Sequence, residues 1–320
     1  MQITISYNKG KYDNFKTKAL EKEFRHAQEL SDMLWFDESF RIYEDLAQKN
    51  YMPAVYEAAL AYYYGEGVEC DDESALRLFE KGAANGHLPS AKMAGDCYLR
   101  GYGTKVDERR AYLYYLKAAK EEYLPAMEET ARCCVNGRGT KQNPGRALSW
   151  VKKMIALGDK NAYILLAKHY EQGLGVKPDN EKAFECYMKC SDDPQAQYEI
   201  AQCYEYGLGA KQDTKCAVNW YNKAILGGYE PALVNLGDIF EAGIEVEQNL
   251  EKAVNYYERA ARAGISAGQR KYADYLYKGI VVKQDRELAH RLYTYAACKG
   301  NSIAKERLKA LYNEDADDLK

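Results

Sequence analysis

Residues 196–220 read AQYEIAQCYEYGLGAKQDTKCAVNW, and the same order of alanine, tyrosine, glycine and aspartate returns along most of the chain. Two positions of this pattern never vary: a glycine, and an alanine ten residues after it. Seven such pairs occur: Gly65/Ala75, Gly101/Ala111, Gly137/Ala147, Gly173/Ala183, Gly207/Ala217, Gly243/Ala253 and Gly279/Ala289. Successive pairs are 36 residues apart, except for 34 between Gly173 and Gly207. A fixed period of this length is typical of a repeat array, in which each small unit buries its apolar face against its neighbours.

Each copy of the pattern predicts two helices joined by a short loop. In the first copy, Ala54, Ala58 and Tyr62 are spaced four residues apart, which places them on one face of a helix. Gly65 then supplies the left-handed backbone conformation that ends a helix. Asp or Asn follows the loop in every copy, as at Asp71, and its side chain is expected to cap the second helix. The pattern therefore predicts an all-α protein, a right-handed α-solenoid of about seven helix-pair repeats.

The pattern also divides the chain into three segments. Residues 1–53 are predicted to form N-terminal capping helices and a half repeat, residues 54–304 the seven repeats, and residues 305–320 a C-terminal capping helix and an acidic tail. Residues 1–7 alternate isoleucine and tyrosine with polar residues and predict a short strand or an arm. We expect a kink near residues 191–194, where two residues are deleted. We also expect different loops at Glu245 and Val281, which replace a loop glycine.

The composition narrows the functional classes. With 45 basic and 48 acidic residues and a net charge of −3, the chain lacks the basic footprint of a nucleic-acid binder. It shows no apolar run long enough to cross a membrane and no secretory signal, so we expect a cytoplasmic protein with no membrane partner. Nine cysteines in such a chain favour free thiols over disulfides. The oligomeric state stays open.

Sequence motifs give no indication of catalysis or of a cofactor. No nucleophile elbow, phosphate-binding loop or HExxH motif occurs. One column of equivalent positions contains Cys97, Cys133, His169 and Cys203, which are residue types that bind zinc. Neighbouring repeats place equivalent positions roughly 8–10 Å apart, which is too far for one zinc ion or for a disulfide. We therefore predict no catalytic residues, no cofactor and no metal.

The repeat resembles a known family. The spacing A-x-x-x-L-[AG]-x-x-Y-x-x-G-x-G-V followed by D-x-x-K-A-x-x-W is similar to the Sel1-like repeat, which is related to the tetratricopeptide repeat. Ile200, Tyr204, Gly209, Asp213 and Trp220 fit it. The resemblance covers about residues 54–304. It implies an α-solenoid that binds a protein or peptide partner.

Tetratricopeptide geometry implies that the partner binds on a concave surface lined by the first helices. The positions two, six and nine residues after the first alanine would face that surface. The candidate partner-binding residues are Tyr56, Leu60, Tyr63, Lys92, Arg132, Lys168, Tyr198, Glu205, Asp238, Glu241 and Asp274. An aromatic first repeat and acidic later repeats would suit a peptide or helix with a hydrophobic anchor and basic residues.

Three functions remain open at this stage. The first is a noncatalytic protein–protein interaction scaffold or adaptor. The second is an enzyme of the penicillin-binding or β-lactamase-like type, as the family resemblance allows for bacterial members with paired cysteines in each repeat. Residues 231–301 contain only Cys298, so that pairing is missing here. The third is an immunity or effector protein of bacterial competition or host interaction.

Overall fold

Helices make up most of residues 14–313, the part of the chain that the computed structural model describes, with side chains from residue 18 onward. The arm predicted at residues 1–7 and the acidic residues 314–318 lie outside this part. Within it there are 17 helices and no strand. Their bounds are α1 Asn14–Asp32, α2 Phe36–Gln48, α3 Met52–Tyr64, α4 Asp72–Ala84, α5 Leu88–Arg100, α6 Glu108–Lys120, α7 Leu124–Asn136, α8 Pro144–Ala156, α9 Ala162–Gln172, α10 Asn180–Lys189, α11 Pro194–Tyr206, α12 Thr214–Leu226, α13 Ala232–Ala242, α14 Leu250–Arg262, α15 Ser266–Lys278, α16 Arg286–Cys298 and α17 Ser302–Tyr312.

The helices fall into two compact units. Unit one ends at Asp159 and contains α1 to α8, and unit two begins at Lys160 and contains α9 to α17. Within each unit consecutive helices pack against each other, as the solenoid prediction requires. The odd-numbered helices α3 to α15 are the first helices of the seven repeats, and the even-numbered helices α4 to α16 are the second helices. Helices α1 and α17 lie in the segments predicted to cap the array, and their capping role stays a prediction.

The helix ends follow the predicted chemistry. All seven glycines that end the first helices, from Gly65 to Gly279, are left-handed, with φ between 67° and 79°. All seven Asp or Asn residues before the second helices accept a hydrogen bond from a backbone N–H of the first turn, as Asp71 does from Ser74. Backbone groups that a helix leaves without partners are therefore satisfied at both ends of each loop.

One column of the second helices forms the centre of the core. Its members are no more than 1% exposed: Phe79, Tyr115, Val151, Tyr187, Tyr221, Tyr257 and Tyr293. The first helix of each repeat places a small residue, Ala or Gly, against the buried side chain of this column. A Cβ atom at Gly95 would lie 2.5 Å from the Tyr115 ring, and one at Gly237 would lie 2.3 Å from the Tyr257 ring. The buried ring thus explains why this position of the first helix is always Ala or Gly.

Within each unit, the loop after a first helix packs closely against the preceding repeat. In unit one, a Cβ atom on Gly139 would lie 1.9 Å from the carbonyl oxygen of Glu108, the first residue of α6. We expected different loops where Glu245 and Val281 replace this glycine, and that expectation is wrong for the backbone. Both residues keep the left-handed conformation, with φ of 60° and 68°. The Glu245 carboxylate accepts hydrogen bonds from the backbone N–H and the hydroxyl of Thr214, at 3.1 and 2.7 Å.

The two-residue deletion is absorbed locally in unit two. Helix α10 has 10 residues, whereas the other second helices have 13. Asp193 then begins the next repeat by accepting hydrogen bonds from the backbone N–H groups of Gln195 and Ala196. The kink expected at residues 191–194 stays a prediction.

Candidate functional site

The predicted partner-binding residues all lie on first helices. We call the surface that these helices present within each unit the first-helix face of that unit. In unit one it is carried by α3, α5 and α7, and in unit two by α9, α11, α13 and α15. The candidates on α3 are aromatic or apolar, whereas α11, α13 and α15 carry the acidic candidates.

The first-helix face of unit one contains an aromatic cluster around Phe79. The Tyr56 ring lies 6.0 Å from the Phe79 ring and 5.1 Å from the His87 ring, between centroids. The Tyr63 ring lies 6.4 Å from Phe79 and 5.6 Å from Tyr102. Edge contacts at these distances are favourable for aromatic rings. The structure thus brings the two predicted anchors, Tyr56 and Tyr63, onto one core ring.

The other candidates of unit one make local contacts. Lys92 forms an ion pair of 2.5 Å with Asp96, one turn away on α5. Arg132 pairs with Glu128 at 2.8 Å on α7. Leu60 is half-buried and lines a cavity at the N-terminal end of the unit. Ion pairs of this kind within one helix contribute little to stability and leave both side chains partly accessible.

The first-helix face of unit two is organised by a buried tyrosine. The Tyr257 hydroxyl donates to Asp238 at 2.6 Å and is 2.7 Å from a carboxylate oxygen of Glu241. Lys271, on the next first helix, lies 2.9 Å from Asp238 and 2.7 Å from Glu241. The Tyr275 hydroxyl donates to the other oxygen of Glu241 at 2.7 Å. Burial opposes ionisation of Glu241, but the hydrogen bonds from Lys271, Tyr275 and Tyr257 outweigh it and lower its pKa.

Two more tyrosines of the buried column of the second helices form hydrogen bonds with carboxylates in unit two. The Tyr221 hydroxyl bonds Glu205 at 2.5 Å, and the Tyr293 hydroxyl bonds Asp274 at 2.7 Å. In unit one the Tyr115 hydroxyl bonds Asp96, also at 2.7 Å. Burial raises the pKa of each of these tyrosines beyond its usual range, so each hydroxyl stays protonated and donates.

The two remaining candidates of unit two lie beside this arrangement. The Tyr198 ring is 5.6 Å from the Tyr221 ring and 5.0 Å from the Tyr229 ring. Lys168 is half-buried on α9. Burial raises the pKa of Glu199, and the positive charge of Lys168 opposes that shift. Tyr198 therefore belongs mainly to the core edge, while Lys168 offsets part of the negative charge of the face.

Comparison with protein families accounts for the whole repeat pattern. The Sel1 repeat model matches residues 53–87, 90–123, 124–159, 160–189, 194–229, 231–265 and 266–301. The chain belongs to the Sel1 repeat family. The number of matched repeats, seven, is the number predicted from the sequence. A comparison with the curated proteins finds no match for this Sel1 repeat protein.

Solved structures agree with the family. One is a protective antigen present in uropathogenic Escherichia coli strains that displays an SLR fold. It is 27% identical, with a TM-score of 0.64, over 94% of this chain and 67% of that one. A Sel1 repeat protein from Oxalobacter formigenes is also 27% identical, with a TM-score of 0.67, over 74% of this chain and 96% of that one. Yeast Tom70, at 16% identity and a TM-score of 0.56 over 99% of this chain and 66% of that one, shows a similar fold alone.

One role of these residues in the Sel1 repeat protein was not predicted. The sequence pointed to Glu205, Asp238, Glu241 and Asp274 only as partner-binding residues, whereas each also accepts a hydrogen bond from a buried tyrosine. The signal was present in the sequence. Every repeat with tyrosine in the core column has an acid six or nine residues after the position equivalent to Ala54, and the repeats with Phe79 and Val151 have none.

The histidine and the cysteines of the column that resembles a zinc set are buried in this Sel1 repeat protein. His169 is buried, and its Nδ1 lies 2.5 Å from the carbonyl oxygen of Leu174. Cys97, Cys133 and Cys203, from the same column, are buried, and burial raises the pKa of each thiol. In residues 14–313, no group of three or more His, Cys, Asp or Glu residues is placed to hold a metal ion. Nor does any helix in that range have both the length and the apolar character needed to cross a membrane.

Proposed function

We propose that this chain is a noncatalytic interaction module that holds a peptide or helix of a partner protein on its first-helix faces, the concave side expected for such arrays, in the cytoplasm. Membership of a family of helical repeat proteins supports the class, since stacked repeats present long surfaces suited to extended partners. The observation that carries the proposal is the aromatic cluster of unit one. Tyr63 is only half-buried there, and its neighbour Tyr64 is 60% exposed.

Exposed tyrosines on a rigid helix suit protein binding. They offer a large contact area with few rotatable bonds, and aromatic anchors dominate the energy of most interfaces. Tyr63 is the better anchor to test, because Tyr56 is held between the Phe79 and His87 rings and its removal would disturb the core. The ring of Tyr63 also makes an edge contact with Tyr64 at 4.9 Å, so the two present a joint surface.

The carboxylates of unit two support a partner with basic residues. Glu205 and Asp238 are fixed by hydrogen bonds to Tyr221 and Tyr257, so they keep their position without a partner. Fixed charges of one sign mainly accelerate association and select against partners of the same charge. Glu205→Gln keeps an acceptor for Tyr221 and removes the charge. We expect it to weaken binding at low salt more than at high salt.

The test is to capture a partner from the native source with the full chain and then to measure its affinity for purified variants. We expect Tyr63→Ala to weaken binding by about 30-fold, the loss of an anchor worth about 2 kcal/mol. Tyr295→Ala is the matched control, since Tyr295 is 54% exposed on the second helix α16. Equal affinity of the wild type and Tyr63→Ala would show that this face does not hold the partner.

A further inference from the structure

Unit one contains a cavity that the repeat pattern does not explain. It has a volume of about 120 Å³ and lies among α1, α2, α3 and the loop after α3. Its polar lining comes from Ser31, Ser39, Tyr43, Glu57 and Glu66. This space corresponds to about four water molecules at liquid density, which is enough for the polar end of a long side chain.

The charges around the cavity are all of one sign. Glu57 and Glu66 both line it, and none of its lining residues is Lys, Arg or His. Burial, and secondarily the charge of Glu66, raises the pKa of Glu57 to about 7. No hydrogen bond or ion pair joins Glu57 to another residue in the part of the chain that the structure describes. A carboxyl group kept in this setting costs stability when it ionises, and a cation beside it would reverse that cost.

The corner between the cavity-lining residues Ser31 and Phe36, here called the rim, exposes apolar side chains. Met33, Leu34 and Trp35 form the corner between α1 and α2, and they are between 57% and 72% exposed. Tyr64, which lines the cavity, is 60% exposed. Leu34 takes a left-handed conformation with φ of 64°, where glycine or asparagine would be less strained. The chain therefore holds a large apolar side chain in solvent at a position that favours a small residue.

We propose that this N-terminal cavity is an anchor site for a partner segment that inserts a lysine or arginine side chain between apolar residues. The carboxylates of Glu57 and Glu66 would receive the cationic head group, and the rings of Tyr43 and Tyr64 would face it as cation–π partners. The apolar rim at Met33 to Trp35 would contact the residues on either side of the basic one. The proposal rests on the proposed protein-binding function and adds a second anchor, whose cavity is lined by Tyr64, the neighbour of Tyr63.

The probe is a peptide selected on the immobilised full chain from a random 12-residue phage library and then synthesised with a fluorescent label. We expect the selected peptides to share a lysine or arginine flanked by apolar residues. Affinity should fall at least tenfold in Glu57→Gln, and equally when norleucine or alanine replaces the basic residue of the peptide. It should rise between pH 6 and 8 as Glu57 ionises, with Tyr43 of α2 and Glu66 of the loop as the titratable groups facing it.

Two further variants separate binding from folding. Glu199→Gln changes the equivalent position of a later repeat in unit two, where burial also raises the pKa, and should bind like the wild type. Leu34→Gly removes the rim side chain and relieves the left-handed strain, so it should weaken peptide binding at least threefold while raising the melting temperature.

Several results would overturn the proposal. These are a selection that yields no peptide, selected peptides without a basic residue, and equal affinity for Glu57→Gln. Binding of n-butylammonium chloride without any peptide would indicate a free amine as the ligand. Dimerisation lost in Glu57→Gln would indicate a second copy of the chain. Peptides that ignore Glu57→Gln but lose affinity for Tyr63→Ala would leave the proposed function standing and exclude only this anchor site.

Discussion

Replacing Tyr257 by Phe tests how much the buried tyrosines of unit two contribute. The ring is fully buried, so the substitution removes only the hydroxyl, which lies 2.6 Å from Asp238 and 2.7 Å from Glu241. A hydrogen bond to a charged group contributes about 1.5–3 kcal/mol. Both carboxylates keep Lys271 as a partner and remain partly open to water. We therefore expect a loss of about 2 kcal/mol, close to one such bond rather than two.

The assay is hydrogen–deuterium exchange of α14 followed by mass spectrometry, because a repeat array need not unfold as one cooperative unit. A loss of about 2 kcal/mol corresponds to roughly 30-fold faster exchange of the protected amides. Tyr112→Phe is the control. Tyr112 is buried on the second helix α6, and its hydroxyl has no hydrogen-bond partner among the described residues. Removing that hydroxyl should leave exchange of α6 unchanged or slower.

The effect should depend on pH with a definite sign. Hydrogen bonds outweigh burial and lower the pKa of Glu241 below its ordinary value of 4.5. The stabilisation from its carboxylate is therefore present above pH 4.5 and is lost as the pH falls through the lowered pKa of the folded state. Exchange of α14 within threefold of the wild type at pH 7 in Tyr257→Phe would refute the assigned role of these hydrogen bonds.

The remaining predictions concern unit one and the thiols. Gly139→Ala should lower the free energy of unfolding by about 2 kcal/mol or more in urea titrations, because its Cβ would lie 1.9 Å from a backbone carbonyl oxygen. Gly137→Ala has the same left-handed strain, but its Cβ would lie 3.3 Å from the nearest atom, so it should lower the free energy of unfolding by only about 1 kcal/mol. Equal losses of stability in the two variants would contradict the close approach of Gly139 to the carbonyl oxygen. Glu57→Gln should raise the melting temperature at pH 8 but not at pH 5, because the raised pKa of about 7 makes ionisation costly as the pH rises; a shift independent of pH would refute this. Thiol titration of the denatured, unreduced chain should count nine thiols, with the exposed Cys70 and Cys298 reacting first in the native chain; a count of one to three would show disulfides.

The repeat pattern was sufficient to predict the helices and their ends. Gly207 and Asp213 decide where one helix stops and the next begins through contacts with backbone groups a few residues away. Such contacts depend on local sequence, so their residue types and spacing reveal them. The core column could be predicted for the same reason, since Tyr221 and Tyr257 recur with the period of the repeat.

The roles of the carboxylates required the tertiary structure. Tyr257 and Asp238 are 19 residues apart on different helices, and only their packing brings the hydroxyl to the carboxylate. A charged residue on a helix surface looks the same in a sequence whether it faces water, a partner or a buried hydroxyl. The sequence therefore placed the acids of unit two on the first helices but could not predict the buried hydroxyls that they contact, and their binding role stays a prediction.

The cavity at Glu57 shows most clearly the difference between what the sequence predicts and what only the tertiary structure shows. The sequence by itself predicted helices before residue 54, as caps and a half repeat, because apolar spacing and helix ends are local and periodic properties. Only the tertiary structure reveals that these helices enclose a space of about 120 Å³ beside the Glu57 carboxyl group, which has no hydrogen-bond partner among the described residues. Empty volume and the desolvation of a charge arise from the shapes of several helices at once, and no single stretch of sequence encodes them.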